Sequence, residues 1–450
     1  MTDKNEYDVI LVGSGTCGAT IARELAKRHK KVLILERGES TPLREKLSTI
    51  LSVTREHTLG HGLKAATAVT VGGSTSLYFG VCKLPTPETF RSLGIDFSAE
   101  VAEARAELPI AELPDEFLAP QSIKVRDSAR ELGYTFKKNL MLIDQSKCAP
   151  GEYSYDARWR ARTFVDEAIE HGATLITSAT VQSVIVENGR AIGVEYRQKT
   201  GLLRSELRQV YAKKIVLSAG SLATPKLLFD CGINDIGDRG FFCKPAYMVC
   251  GIVPGMKAKD AFVGNQDIEL PSGVSVGDGA MNSFLFKLVM LANLKWKHLF
   301  SFPRVVSLGI LIYDSMGGYV RRDGGYHKRL TTEEMQKLDA AEGVAVSILK
   351  NAGAQDIFRT KLMAGIPGGV LRIHEHLDEN LQTKVRNLYV CDHSVMTDVK
   401  ITPTFTLICL AKRLAKHLAK QLTIAQPNTR NQNVRPVETE AEVEKVAVVA

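Results

Sequence analysis

No apolar run in this 450-residue chain reaches 18 residues, so no segment is long enough to cross a bilayer as a helix. The eight cysteines, at 17, 82, 148, 231, 243, 250, 391 and 409, include no C-x-x-C pair. That scatter argues against a structural zinc site, so no metal is expected. It fits free, buried thiols of a reducing compartment. No run of five lysines or arginines occurs and the formal net charge is a modest +8, so nucleic acid is not an expected partner. The opening residues are polar up to the first apolar run and fit no signal peptide, and a cytoplasmic location is expected. What remains is an ordinary globular composition, 44% hydrophobic and 24% charged, with length for two or three domains.

The most informative stretch is Gly13-Ser14-Gly15-Thr16-Cys17-Gly18. Residues 7–12 read as a buried strand, 19–28 as an amphipathic helix and 31–35 as a second strand closed by Glu36. This is the fingerprint of a dinucleotide-binding βαβ unit. Gly13 permits the tight turn, Gly15 lets backbone amides approach a diphosphate, and Gly18 allows close helix–strand packing. The helix N-terminus supplies donors and the positive end of a dipole. Glu36 lies at about the spacing expected for a carboxylate that accepts from ribose hydroxyls, and it disfavours the 2′-phosphate of NADP.

A second glycine turn, Val71-Gly72-Gly73-Ser74-Thr75-Ser76, offers amides and hydroxyls to an anion or a ring carbonyl; an ordinary loop is the alternative. Residues 43–68 show no clear periodicity. Helices are expected over 96–108, 120–132 and 160–171. Strands at 174–178, 181–186 and 191–196 include a hairpin turning at Asn188-Gly189. A further strand, 213–218, leads into a small-residue turn and a helix started by Pro225. Residues 240–364 change to short strands between glycine turns, an inserted antiparallel sheet, with a helix near 331–353 capped by Thr331 or Thr332. A strand at 387–391, the polar turn Asp392-His393-Ser394 and an amphipathic helix over 404–422 follow. Residues 425–450 read as a flexible tail.

Four of these pieces in this order resemble the glucose–methanol–choline family of flavoprotein oxidoreductases. They are the first glycine turn with Glu36, the 71–76 turn, the run 218–228, and the run 387–396. The resemblance implies an α/β fold, with an FAD-binding Rossmann-like domain formed by 1–240 and 365–424 and an antiparallel-sheet substrate domain at 241–364. It implies FAD held by Gly13, Ser14, Gly15, Thr16, Cys17 and Gly18, with Glu36 and its neighbour Arg37 at the adenosine ribose. Gly72, Gly73, Ser74 and Ser76 would lie against the flavin or phosphates, Val181 against adenine, Ala219 and Gly220 at the strand end, and Asp392 at the ribityl chain. The implied activity is oxidation of a CH–OH group by hydride transfer to flavin N5. Its partners would be a small, lipophilic substrate and an electron acceptor that the motifs do not specify.

The chain departs from that family where the chemistry should be. The family's histidine-led turn reads Ile366-Pro367-Gly368-Gly369-Val370 here, and the later His-or-Asn position is Thr402. Neither residue can act as a base, and general base catalysis contributes roughly 10²- to 10⁴-fold. His374, His376 and His393 are the candidate replacements; the plainer expectation for His374 and His376 is solvation or pairing with Glu375. The alternatives to alcohol oxidation are a flavin-binding protein without turnover and a flavoenzyme running other chemistry. Residues 284–304 mix large apolar side chains with Lys287, Lys295, Lys297 and Arg304. The simpler expectation is that they cover the pocket or pack inside the domain; the other is a membrane-surface patch.

Overall fold

The first apolar run becomes the strand Tyr7–Val12, whose last four residues are buried. The computed structural model describes residues 7–40, 44–85, 87–149, 152–201, 204–396 and 398–424, so the 425–450 tail lies outside the described residues. Val9 to Val12 run parallel to Val32–Leu35 on one side and to the end of Ser205–Leu217 on the other. Thr174–Ile176 and Leu388–Val390 complete five parallel strands. Both faces of such a sheet are covered, which is why these strands are continuous Val, Ile and Leu rather than alternating.

The helix Thr16–Ala26 follows the first strand and packs against the C-terminal helix Pro403–Ile424. Three charges, Arg23, Glu24 and Lys412, are enclosed around that contact, and the exposed Glu107 closes over them. Arg23 reaches Glu24 and Glu107 at 2.9 Å, and Lys412 reaches Glu107 at 3.0 Å and Glu24 at 3.2 Å. Burial alone would raise the Glu24 pKa, but Arg28, Lys412 and Arg23 hold it down to about 2. The outer half of Ser205–Leu217 turns to antiparallel pairing with Arg190–Lys199, which pairs with Ala179–Glu187. Asn188 (φ 50°) and Gly189 (φ 70°) make the expected tight hairpin turn.

A six-stranded antiparallel sheet forms the second unit. Its order is Gln355–Arg359, Ala246–Ile252, Val305–Ile312, Val274–Asp278, Gln266–Glu269 and Lys137–Lys138. The strand period of two divides its faces. Tyr247 and Val249 pack into a core with Leu338 and Ile348 of the helix Thr332–Asn351, while Met248 and Cys250 face a smaller core. That helix begins with a capping box between Thr331 and Glu334, as its sequence predicts. The helix Pro120–Glu131 and the strand Lys137–Lys138 also join this unit, so it extends beyond the expected 241–364.

Two expectations need correction. Residues 54–68, read as aperiodic, form a hairpin of Thr54–Gly60 and Leu63–Ala68. Its first strand is mostly polar, with only Leu59 fully buried, so it carries no alternation to read. The expected burial of the 284–304 segment holds for Phe286, Met290 and Phe302 but fails for Leu294, Trp296 and Phe300.

The crossing from the parallel unit into the second sheet is fixed by a buried ion pair. Lys328 Nζ lies 2.5 Å from Asp314 Oδ2, with both side chains almost fully enclosed. Asp314 also accepts from the amides of Cys243 and Lys244, and Lys328 donates to the carbonyls of Phe241 and Ser315.

Candidate active site

The candidate residues follow the carboxyl ends of parallel strands, where open α/β sheets bind ligands. Gly13 follows the first strand, Glu36 the second, Ser218 to Gly220 the strand ending at Leu217, and Asp392 the strand ending at Val390. Gly13 has φ 102°, and a Cβ there would meet Ser218 O at 2.4 Å; one on Gly18 would stand 2.0 Å from Gly13 O. Both positions require glycine. A Cβ on Gly15 would meet nothing within 4 Å, and no side chain caps the helix that starts at Thr16. The amides of that helix end therefore face open space, as an anion cradle demands.

Glu36 stitches the cradle together. Its Oε2 accepts from Ser14 N at 3.0 Å and Ser14 Oγ at 2.7 Å, and its Oε1 from Gly38 N at 2.7 Å. Ser14 Oγ in turn accepts from Gly72 N at 3.2 Å, and a Cβ on Gly73 would lie 3.0 Å from Gly15 Cα. The two glycine turns thus touch. Carboxylate oxygens accept about two bonds each, so Oε1 retains one position for a ribose hydroxyl. Arg37 is exposed, and its charge is felt at His57. Ala179 N donates to Glu36 O, which brings the strand of Val181 beside the same strand end.

The remaining cofactor candidates are distributed around this cradle. Thr16 O accepts from Thr20 Oγ1 within the helix, and Cys17 is buried with its Sγ toward Leu407 O. Ser74 Oγ accepts from Ala68 N, while Ser76 is buried. Ala219 Cα lies against Gly13, and Gly220 N donates to Asp392. Asp392 accepts from Gly220 N, Thr224 Oγ1, Ser394 N and Ser394 Oγ. Those four donors fill both oxygens, so a ribityl hydroxyl would have to displace one of them. A cavity of about 800 Å³ opens beside the second glycine turn, against Val71, Ser76, Arg158, Arg160 and Arg162.

The three histidines separate sharply. His376 Nδ1 accepts from Arg372 N at 3.0 Å, which leaves Nε2 to donate to Asp235 O at 3.2 Å. Both nitrogens are used structurally. His374 is exposed, with Nε2 3.0 Å from Leu93 O, and Glu375 pairs with Arg239 rather than with either histidine. His393 is different: both ring nitrogens are enclosed and neither has a hydrogen-bond partner. The carbonyls of Ile366 and Pro367 lie alongside the ring but outside hydrogen-bond geometry. Burial, with the nearby Lys244 ammonium, pushes the His393 pKa down to about 3.

Lys244 carries no motif and is absent from the sequence reading. Its Nζ donates to Ile401 O at 2.5 Å, next to Thr402. Burial and the charge of Lys83 bring its pKa down to about 8, against the opposing pull of Asp398 and Asp314. Thr402 exchanges two hydrogen bonds with the backbone of Lys83, donating to its carbonyl at 3.2 Å and accepting from its amide. Lys83 Nζ donates to Asp267 and to Tyr313 OH, at 2.9 and 3.0 Å. The Ile366–Pro367 turn and the Ile401–Thr402 turn therefore converge on one unpartnered imidazole and one buried amine.

A cradle of this kind on this strand order defines a dinucleotide-binding α/β protein. The GMC oxidoreductase family model matches residues 7–240, just over half of the chain, and the chain belongs to that family. Members of the family are oxidoreductases that typically bind FAD, and the open helix end, the close-packed glycines and the buried Glu36 fit that group. An uncharacterised protein of Methanocaldococcus jannaschii is 24% identical over 92% of this chain and 100% of its own length. An uncharacterised GMC-type oxidoreductase of Mycobacterium tuberculosis is 26% identical over 80% of this chain, and a long-chain-alcohol oxidase of Arabidopsis thaliana 22% over 78%. The chain spans only 62% and 53% of those two relatives. Among solved structures, pyridoxine 4-oxidase from Mesorbium loti superposes with a TM-score of 0.69 at 16% identity, covering 92% of this chain and 99% of that one.

Proposed function

We propose that the protein is an FAD-dependent oxidoreductase acting on a CH–OH group, with a lipophilic alcohol as the first substrate class to test. The Arabidopsis relative, a long-chain-alcohol oxidase, supports that class. When bound, FAD supplies the acceptor for the hydride that leaves the carbinol carbon. Gly13, Gly15, Gly18 and Glu36 hold its adenosine diphosphate half, and the 71–76 turn lies against the first turn to extend the cradle.

The hydroxyl proton needs an acceptor, and the observation that carries this reading is the convergence of His393 and Lys244 on the altered turns. His393 is neutral in the physiological range. It has one free donor and one free acceptor, so it can hold a substrate hydroxyl in place. An unsatisfied buried polar group costs about 1–3 kcal/mol, a cost that such a hydrogen bond relieves. Lys244 takes the proton in its amine form, which dominates above pH 8. Ile366 contributes shape without a charge.

The test is anaerobic titration of the yellow protein with an alcohol series of increasing chain length. Bleaching of the flavin band by a member of that series supports the proposal. A second reading, a flavin-binding protein without turnover, draws on the non-ionisable side chains at Ile366 and Thr402. A yellow protein that no alcohol bleaches would favour it, and a protein that refuses FAD after reconstitution would remove both readings.

A further inference from the structure

The helix Ser283–Ala292 sits over the smaller core of the second sheet, capped by Asn282, whose Oδ1 accepts from Leu285 N at 2.7 Å. Phe286 and Met290 enter that core with Cys250, Phe302 and Val305, while Phe284, Leu285, Leu288, Val289 and Leu291 are only half-buried. Beyond the helix, Leu294, Trp296 and Phe300 are 63%, 61% and 80% exposed. Of the four most exposed large apolar side chains among the described residues, these three fall within seven positions. Scattered surface leucines need no explanation; a cluster of Leu, Trp and Phe does.

The turn that displays them is held firmly. Lys295 N donates to Met290 O, His298 N to Lys295 O and Ser301 N to His298 O. The His298 ring is buried and stacks on Phe358 with centroids 3.9 Å apart. Leu294 has φ 58°, a left-handed conformation that a leucine adopts only when its surroundings impose it. It stands one residue past the helix C-cap Asn293, where Lys295 N reaches back to Met290 O, so the turn that closes the helix fixes the place from which this side chain projects.

The charge around this patch has one dominant sign. No aspartate or glutamate occurs between Asp278 and Asp314, whereas Lys287, Lys295, Lys297 and Arg304 all lie in that interval. The loop carrying Lys257 and Lys259 joins it, because Ala258 N donates to Pro303 O at 2.9 Å. Three acids border these segments: Asp260, which accepts from Ser283 N, Glu45, which accepts from Asn282 Nδ2 at 2.6 Å, and Asp356, which pairs with Lys297 at 3.2 Å. Six cations stand against three hydrogen-bonded carboxylates on the segments that carry or adjoin Trp296. Aromatic tips flanked by lysines are the composition of a surface that sits in the interface of an anionic bilayer. No helix among the described residues is long and apolar enough to cross one.

We propose that the Leu294–Trp296–Phe300 turn docks the protein on anionic lipid surfaces, with the three apolar side chains inserted and the surrounding lysines and Arg304 on the headgroups. The chain provides its own reporter. It contains two tryptophans, and Trp159 is buried against Phe164, so replacing it with Phe leaves Trp296 as the single tryptophan, excited selectively at the red edge of the absorption band. In low salt, vesicles of phosphatidylcholine containing phosphatidylglycerol should shift Trp296 emission to the blue and sediment the full-length protein. Phosphatidylcholine vesicles alone should do neither, and added salt should reverse both effects. The W296A/F300A pair and the K295E/K297E pair should each weaken sedimentation by roughly tenfold or more. Absence of a blue shift with anionic vesicles would overturn the proposal. So would a blue shift without lipid that grows with protein concentration, which would identify a second copy of the chain as the occupant.

Discussion

The two halves of the candidate site are built by opposite means. The diphosphate cradle is made of backbone: Gly13 and Gly18 pack where no side chain fits, and Glu36 binds both glycine turns into one unit. The other half is made of side chains: the His393 ring, whose nitrogens have no hydrogen-bond partner, and the Lys244 amine, which is buried and tied only to the carbonyl of Ile401. A backbone site tolerates almost no substitution at its key positions. A side-chain site can change its chemistry while the fold stays in place.

That contrast can be broken in order of expected effect. Asp314→Ala should be the most damaging, because it leaves Lys328 buried and unpaired; a loss of about 3–5 kcal/mol is expected in urea unfolding. Gly18→Ala comes next. Its methyl would stand 2.0 Å from a backbone oxygen, and about 3 kcal/mol of destabilisation should accompany purification of a colourless protein. Lys244→Met should leave the yellow colour intact while lowering turnover by roughly 10²-fold, about 2.7 kcal/mol.

The same variant sharpens the comparison through pH. The folded protein depresses the Lys244 pKa to about 8, so the proton-accepting amine grows in as pH rises through that value. The wild-type kcat/KM should rise through that range to a plateau, and the variant should lose this limb. A profile already flat from pH 5 to 9 in the wild type would assign the proton to His393, whose own titration lies near 3. The smallest effect is reserved for Glu36→Gln. It keeps the size but weakens the bonds from Ser14, and about 1 kcal/mol should be lost from FAD binding, measured by fluorescence titration.

The backbone half was legible because its physics leaves a mark in residue types. Glycines at fixed spacing, continuous apolar strands and an acid after the second strand can be read without coordinates. The side-chain half was not. His376 and His393 look alike in the sequence, but one has both nitrogens tied to the backbone and the other has neither. Lys244 sits in an unremarkable run, and only the fold brings it beside Ile401. The Thr54–Ala68 hairpin escaped for a related reason: its first strand is largely polar and fully buries only Leu59, too little to impose a pattern.

The hydroxyl of Thr402 both donates to and accepts from the backbone of Lys83, a clip that joins two distant parts of the chain. An imidazole is longer than a hydroxymethyl group and cannot serve both roles at that reach from one atom. A histidine placed at 402 would therefore unfasten the clip before it supplied a base, and that substitution should first cost order. Thr402 is thereby held by its backbone role, and a base at that position would require a compensating change at Lys83 or its neighbours.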